Sequence, residues 1–331
     1  MRIANTLKRL ATRDTAPWPV LSVYVNTRPV GPLMLTYRPL LKKRMAEELA
    51  AFPQRSPERE SLAIDFARVQ HYLDYDLRPE TQAAAVFSSY AGDDTFDAVQ
   101  LPLEFPENLI TVAPRPFLGP LLAVGDRELR TVVLVADERT ARLFVISLGA
   151  VLTRREVRAP VADELDEPAR ATRFAASAAH ALADLASESG ATHACLGGDP
   201  GVIAAIEATL PALWRGSLLE CASWDARIGE DALAADVAAR IDRHRVTERT
   251  AAASRIVAAA GSGQAVLGVE AVRAALHQEG ISRLLLASGF ADEAVREELA
   301  ALALAHGAAV QFVPTGAVPA FDAAGVGAMR D

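Results

Sequence analysis

With 331 residues, 51% of them hydrophobic and 23% charged, the chain is long enough for two or three globular domains that each bury a core. Its two cysteines, Cys195 and Cys221, lie in apolar strand-like runs and read as small buried hydrophobes, which excludes a disulfide framework, and its six scattered histidines show no ligand spacing, so no metal or cofactor is expected. No apolar run approaches the roughly 20 residues of a membrane span, and the opening MRIANTLKRLATRD lacks a signal-peptide core, so a cytoplasmic protein without a membrane partner is expected.

The net charge of −8 is unevenly spread. Residues 1–46 hold nine basic side chains (Arg2, Lys8, Arg9, Arg13, Arg28, Arg38, Lys42, Lys43, Arg44) against Asp14 alone. A basic lobe on an acidic body suits docking on RNA phosphate, with no DNA partner expected; a solvated helix face in an arginine-rich composition is the alternative. Lys42, Lys43 and Arg44 are consecutive on an expected helix, where residues fan about 100° apart, so at least two must face water. Around them the pattern gives a first α/β unit, residues 1–125: a strand at Val20–Val25, helices near Leu33–Phe52 and Arg59–Leu77, and strands at Ala83–Ser88 and Phe96–Leu101. The run FPENLITVAPRPFLGP follows, and its prolines remove ladder donors, so it reads as a linker or crossover strap rather than a strand.

A second unit, residues 130–258, opens with strands at Thr131–Ala136, Arg142–Ser147 and Ala150–Val157. A helix from about Pro168 to Ser189 then buries a stripe of Phe174, Ala178, Ala181, Leu182 and Leu185, with Pro168 in its first turn and Gly190 after its end. A strand from His193, a helix from Pro200, a strand near Leu218–Ala222 and a long alanine-rich helix from Glu230 to Ala259 complete it. In Gly197-Gly198-Asp199-Pro200-Gly201, Asp199 serves as N-cap and Pro200 as first helical residue, which accounts for the turn without an anion site. Before the Pro168 helix, Asp163, Glu164, Asp166 and Glu167 form an acidic cluster. Such carboxylates could bind a divalent cation or act as acid and base, or simply complement the helix dipole. Arg154, Arg155, Arg158, Arg170 and Arg173 flank the cluster and are candidate RNA contacts.

The third unit, residues 261–331, joins a glycine turn, an amphipathic helix carrying Val269, Val272 and Leu276, a stop at Gly280 and a buried strand at Leu284–Leu286. Gly268-Val269-Glu270, Ala275-Leu276, Gly280, Leu284-Leu285-Leu286 and the closing GVGAMRD resemble the third domain of the archaeo-eukaryotic peptide-chain release factor and Pelota superfamily. Thr131 to Val157, through Asp137, Ala141, Leu143 and Phe144, and His193 to Ile206 with Leu210-Pro211 resemble its middle domain, and VLSVYVNTRP resembles the degenerate first domain of bacterial members.

The resemblance implies an α/β protein of three domains, the middle one ribonuclease-H-like and the last a small α/β/α domain similar to ribosomal proteins that bind kink-turn RNA. It also implies a ribosome or tRNA partner and a translational GTPase. Release-factor chemistry needs a Gly-Gly-Gln loop between the third strand and the following helix of the middle domain. Here Arg158–Arg173, RAPVADELDEPARATR, holds neither Gly nor Gln. Gly261-Ser262-Gly263-Gln264 lies at the wrong place and reads as an interdomain turn. The decoding motif Asn-Ile-Lys-Ser is also absent, since Asn26-Thr27-Arg28-Pro29 does not match it. The expectation is a non-catalytic ribosome- or tRNA-associated factor in rescue, quality control or stress protection. A peptidyl-tRNA hydrolase or tRNA-cleaving enzyme with a divergent loop, and a small-molecule-binding protein retaining the fold, stand as alternatives.

Overall fold

The structure is a computed structural model that describes residues 3–29, 37–160, 166–219, 222–278 and 280–330. It begins with an amphipathic helix, α1 (Ile3–Ala11), whose Ile3, Leu7 and Leu10 are buried at helical spacing. Then come β1 (Val20–Asn26), α2 (Tyr37–Ala50), α3 (Pro57–Tyr75), β2 (Ala83–Ser89), β3 (Thr95–Leu101), β4 (Leu109–Ala113) and α4 (Gly119–Arg127). The four strands form an antiparallel sheet in the order β3-β2-β1-β4. One face is sealed by α2 and α3, where Leu21, Val23 and Val25 pack on Leu62, Phe66 and Val69. Ser56 caps α3, its Oγ accepting the N–H of Arg59 at 3.2 Å, and Pro57 opens the helix where a missing N–H costs nothing.

The proline-rich run is not a bare strap, because its proline-free core, Leu109–Ala113, pairs with β1 as β4. Pro106 and Pro114 flank that core, and β4 lies at the sheet edge, where only one side of the strand needs ladder donors.

Next come β5 (Thr131–Ala136), β6 (Thr140–Ser147), β7 (Ala150–Arg158), α5 (Glu167–Ser189), β8 (His193–Gly198), α6 (Pro200–Thr209), α7 (Ala212–Arg215) and α8 (Glu230–Ala259). Their sheet runs β7-β6-β5-β8, antiparallel except for the parallel β5–β8 pair. One face packs on α5 and α6 through Leu134, Leu143, Leu182 and Ile206; the other meets α8 through Val133, Phe144, Leu233 and Val237. Gly190, at φ 63°, closes α5 in the left-handed conformation that glycine adopts without strain. Of the strand expected near Leu218–Ala222, residues 220 and 221 lie outside the described residues, and Leu218 and Ala222 bridge in parallel to Ala194 and Gly197 of β8.

The last part holds β9 (Ala265–Leu267), α9 (Val269–His277), β10 (Ile281–Ala287), α10 (Glu293–Ala305), β11 (Ala309–Val313), α11 (Pro319–Ala324) and β12 (Val326–Arg330), with strand order β11-β10-β12-β9. Gly261 and Ser262 lie in a 3₁₀ turn after α8, and Gly263 follows at φ 81°.

The protein is therefore α/β with three sheets among the described residues. The chain divides into two compact units, one of residues 1–126 with 248–331, the other of 127–247. Within the first unit, α1 packs on α10, and the N–H of Leu118 donates to Glu297 Oε2 at 2.8 Å. Arg249, buried in α8, meets buried Asp126 at 3.3 Å.

Candidate functional site

The end of the second unit's sheet that precedes α5 holds Asp166, Arg158 and Arg170 of the residues singled out from sequence. There β5 and β8 finish side by side in parallel. After β5, Asp137 folds the chain back, its Oδ1 accepting the N–H groups of Arg139 and Thr140 at 2.8 Å each. After β8, Gly198 stands at φ 122°, and a Cβ there would lie 2.0 Å from the carbonyl oxygen of Ala136. A Cβ on Gly197 would lie 2.4 Å from the Trp224 ring. Close packing thus accounts for both glycines. Asp199 caps α6, its Oδ1 accepting from Gly201 N at 2.9 Å and Val202 N at 3.1 Å.

Between these turns and the first turns of α5 lies a cavity of about 220 Å³, walled by Ala159, Phe174, Ala175 and Val202, with Glu138, Arg170 and Asp199 supplying charge. Asp166 is the N-cap of α5, its Oδ1 accepting from Ala169 N at 3.1 Å. Asp163 and Glu164 lie outside the described residues, as does the side chain of Glu167, the first residue of α5. Among the described residues no three His, Cys, Asp or Glu side chains converge to hold a metal ion.

The arginines separate. Alternation along β7 sends Arg154 and Arg155 to opposite faces. Arg154 reaches α8, its Nε 2.7 Å from Glu230, and this pairing lowers the Glu230 carboxyl below its ordinary value. Arg155 meets Glu188 of α5 at 2.8 Å. Arg158, at the strand's end, pairs with Glu156 at 2.7 Å. Arg170 borders the cavity, and Arg173 is exposed on α5 with no ion pair among the described residues. Arg154 and Arg155 thus lie on opposite faces of the sheet.

On α2, Lys42 and Lys43 are exposed and Arg44 is half-buried. Arg44 donates from Nη2 to the Ile110 carbonyl at 3.1 Å and pairs with Glu47 at 3.1 Å, which fastens α2 to β4. Lys43 lies 3.7 Å from Glu47, while Lys42 has no ion-pair partner among the described residues. Arg9 and Arg13 grip the buried Asp97, so much of the N-terminal positive charge is compensated internally.

Two buried acids escaped the sequence reading because nothing in helical periodicity marks them. Asp65 on α3 accepts from Ser88 Oγ at 2.6 Å and Tyr90 N at 2.8 Å, and burial pushes its carboxyl up to about 6. Burial likewise raises Glu297 above the ordinary carboxyl value, against the pull of the Leu118 and Gly119 N–H groups.

The family model described as Bacterial archaeo-eukaryotic release factor family 10 matches residues 116–255, the stretch that contains the second sheet and the cavity. No curated protein matches the chain. Similar solved structures include an archaeal translation termination factor, aRF1 (17% identity, 99% of this chain and 96% of that one, TM-score 0.31). Another is S. cerevisiae Dom34, described as a termination-like factor of RNA quality control that interacts with Hbs1 (12%, 75% and 79%, 0.49). A third is ribosome-bound archaeal Pelota (12%, 99% and 94%, 0.48). Identities and scores this low carry nothing about activity. Over residues 116–255, somewhat under half of its length, the chain is thus similar to the bacterial archaeo-eukaryotic release factor family.

Proposed function

We propose that the protein is a ribosome- or tRNA-associated factor that acts in the cytoplasm by occupying a site, in rescue, quality control or stress protection, rather than by hydrolysing an ester. The observation that carries this reading is the family match over residues 116–255 joined to a β7–α5 connection without Gly or Gln. Without glycine the loop loses easy access to positive φ, and without glutamine it has no side-chain amide to order a water. Lys42 and Arg173 are the first contacts assigned to RNA phosphate, with Lys43, Arg154, Arg155, Arg158 and Arg170 available by exchanging their present neighbours. Residues 1–125, 130–258 and 261–331 are proposed as three domains, the middle ribonuclease-H-like and the last similar to kink-turn-RNA-binding ribosomal proteins, with a translational GTPase as further partner. Co-sedimentation with 70S ribosomes at low and moderate salt tests the reading, and no association in either condition overturns it.

The cavity at the same end favours a second reading. Glu138, Asp199 and Arg170 converge beside the β7–α5 connection, where a tRNA-directed hydrolase or nuclease would place its reacting groups. Turnover of peptidyl-tRNA, lost on combined Asp163→Ala, Glu164→Ala, Asp166→Ala and Glu167→Ala substitution, would establish catalysis over occupancy. Absent wild-type turnover removes it.

A further inference from the structure

A second cavity, of about 410 Å³, lies between α2 and α3 in the first unit, within the range of small-molecule sites. Arg38 near the start of α2 pairs with Asp74 near the end of α3 at 2.8 Å, so the two helices run antiparallel and this ion pair closes one end of the cleft. Its floor is apolar, made of Tyr37, Leu41, Met45 and Phe66. The Tyr37 hydroxyl is turned away to the Leu73 carbonyl at 3.3 Å, which leaves its ring to the floor. One helical turn further on, Lys42 and Gln70 line the cleft, and neither has a side-chain hydrogen bond or ion pair among the described residues.

The charges decide what fits. The Arg38–Asp74 pair cancels itself, and among the described residues the cleft keeps one uncompensated cation, Lys42, beside an amide that can donate and accept. Packed helices approach to roughly 8–10 Å between axes, so a body lying between them above Phe66 must be thin. We infer that this cleft binds a small aromatic anion, a carboxylate or phosphate monoester, its flat apolar body on Phe66 and Met45 and its anionic group on Lys42 and Gln70. This inference does not rest on the ribosome reading, which uses Lys42 only as a phosphate contact.

The chain has four methionines, so protein labelled with [13C-methyl]methionine gives a sparse spectrum in which a Met45→Leu variant assigns the Met45 signal. Titration with 2-naphthoate and with 1-naphthyl phosphate is expected to shift the Met45 methyl saturably while that of Met329, in the third sheet, stays still. Neutral 2-naphthol should bind at least about tenfold more weakly, and Lys42→Gln should weaken either anion by at least about tenfold, roughly 1.4 kcal/mol. Lys42 is exposed, so the variant folds as the parent does. A Met45 methyl unmoved at millimolar ligand, or binding that ignores both the ligand's charge and the Lys42→Gln change, overturns the inference. Ribosome co-sedimentation of the same variant reports separately on the RNA role.

Discussion

Asp65 offers the sharpest physical test. It is 1% exposed, on the helix that seals the first sheet, and its Oδ1 accepts both the Ser88 hydroxyl and the Tyr90 N–H. Burial dominates these hydrogen bonds and raises the carboxyl from 3.8 to about 6. A folded-state value above the unfolded one means that the folded protein holds a proton the unfolded chain releases. The associated stability is complete below about pH 3.8, falls as pH rises through about 6, and is flat beyond. At about 1.4 kcal/mol for each pH unit, the full swing is about 3 kcal/mol. Asp65→Asn keeps the Oδ1 acceptor and removes the charge, so its stability relative to wild type should climb between pH 4 and 7 by up to about 3 kcal/mol. Urea denaturation of both proteins across pH 4–8 measures this, since other titrating groups cancel in the difference. A difference that stays constant, or that falls as pH rises, refutes the desolvation argument. Asp65→Ala, which strands the Ser88 and Tyr90 donors, should be less stable than wild type throughout, by about 1–3 kcal/mol for each buried donor left unpaired.

Gly198→Ala should abolish folding of the second unit or cost more than about 3 kcal/mol, because its Cβ would lie 2.0 Å from the Ala136 carbonyl oxygen. Gly149→Ala, at φ 75° in open space, should cost only about 1 kcal/mol, and thermal melts separate the two. Neutralising Lys42 and Lys43 together should flatten the salt dependence of ribosome or RNA binding by about one to two phosphate contacts and leave the melting temperature unchanged, as both side chains are exposed. Arg44→Ala should instead lower thermal stability, because it releases the Ile110 carbonyl contact. An unchanged salt slope in the double variant would mark these lysines as a solvated face. Glu297→Gln keeps an acceptor for the Leu118 N–H, and because burial raises this carboxyl above 4.5, wild-type stability relative to the variant should fall as pH rises through the acid range. A pH-independent difference would sink that account.

Residues close along the chain carried what the sequence alone determined. The α5 stripe from Phe174 to Leu185, its stop at Gly190 and the capping of α6 by Asp199 depend on periods and caps a few residues long, and they stand where that spacing puts them. The β5–β6–β7 meander was legible for the same reason, since each strand meets its neighbour within a short turn. The absence of Gly and Gln between Arg158 and Arg173 is a property of composition that no folding could change.

Tertiary structure decided whatever depends on partners distant in sequence. Leu109–Ala113 becomes a strand only because the β1 edge lies beside it, which prolines before and after it concealed. Arg44 looked equivalent to Lys42 and Lys43, yet its partner is a carbonyl 66 residues away. Arg154 and Arg155 look like one basic patch in the sequence, but the sheet sends them to Glu230 and Glu188 on opposite layers. Desolvation sets the Asp65 and Glu297 values, and burial is a sum over the whole fold that no local pattern of residues encodes.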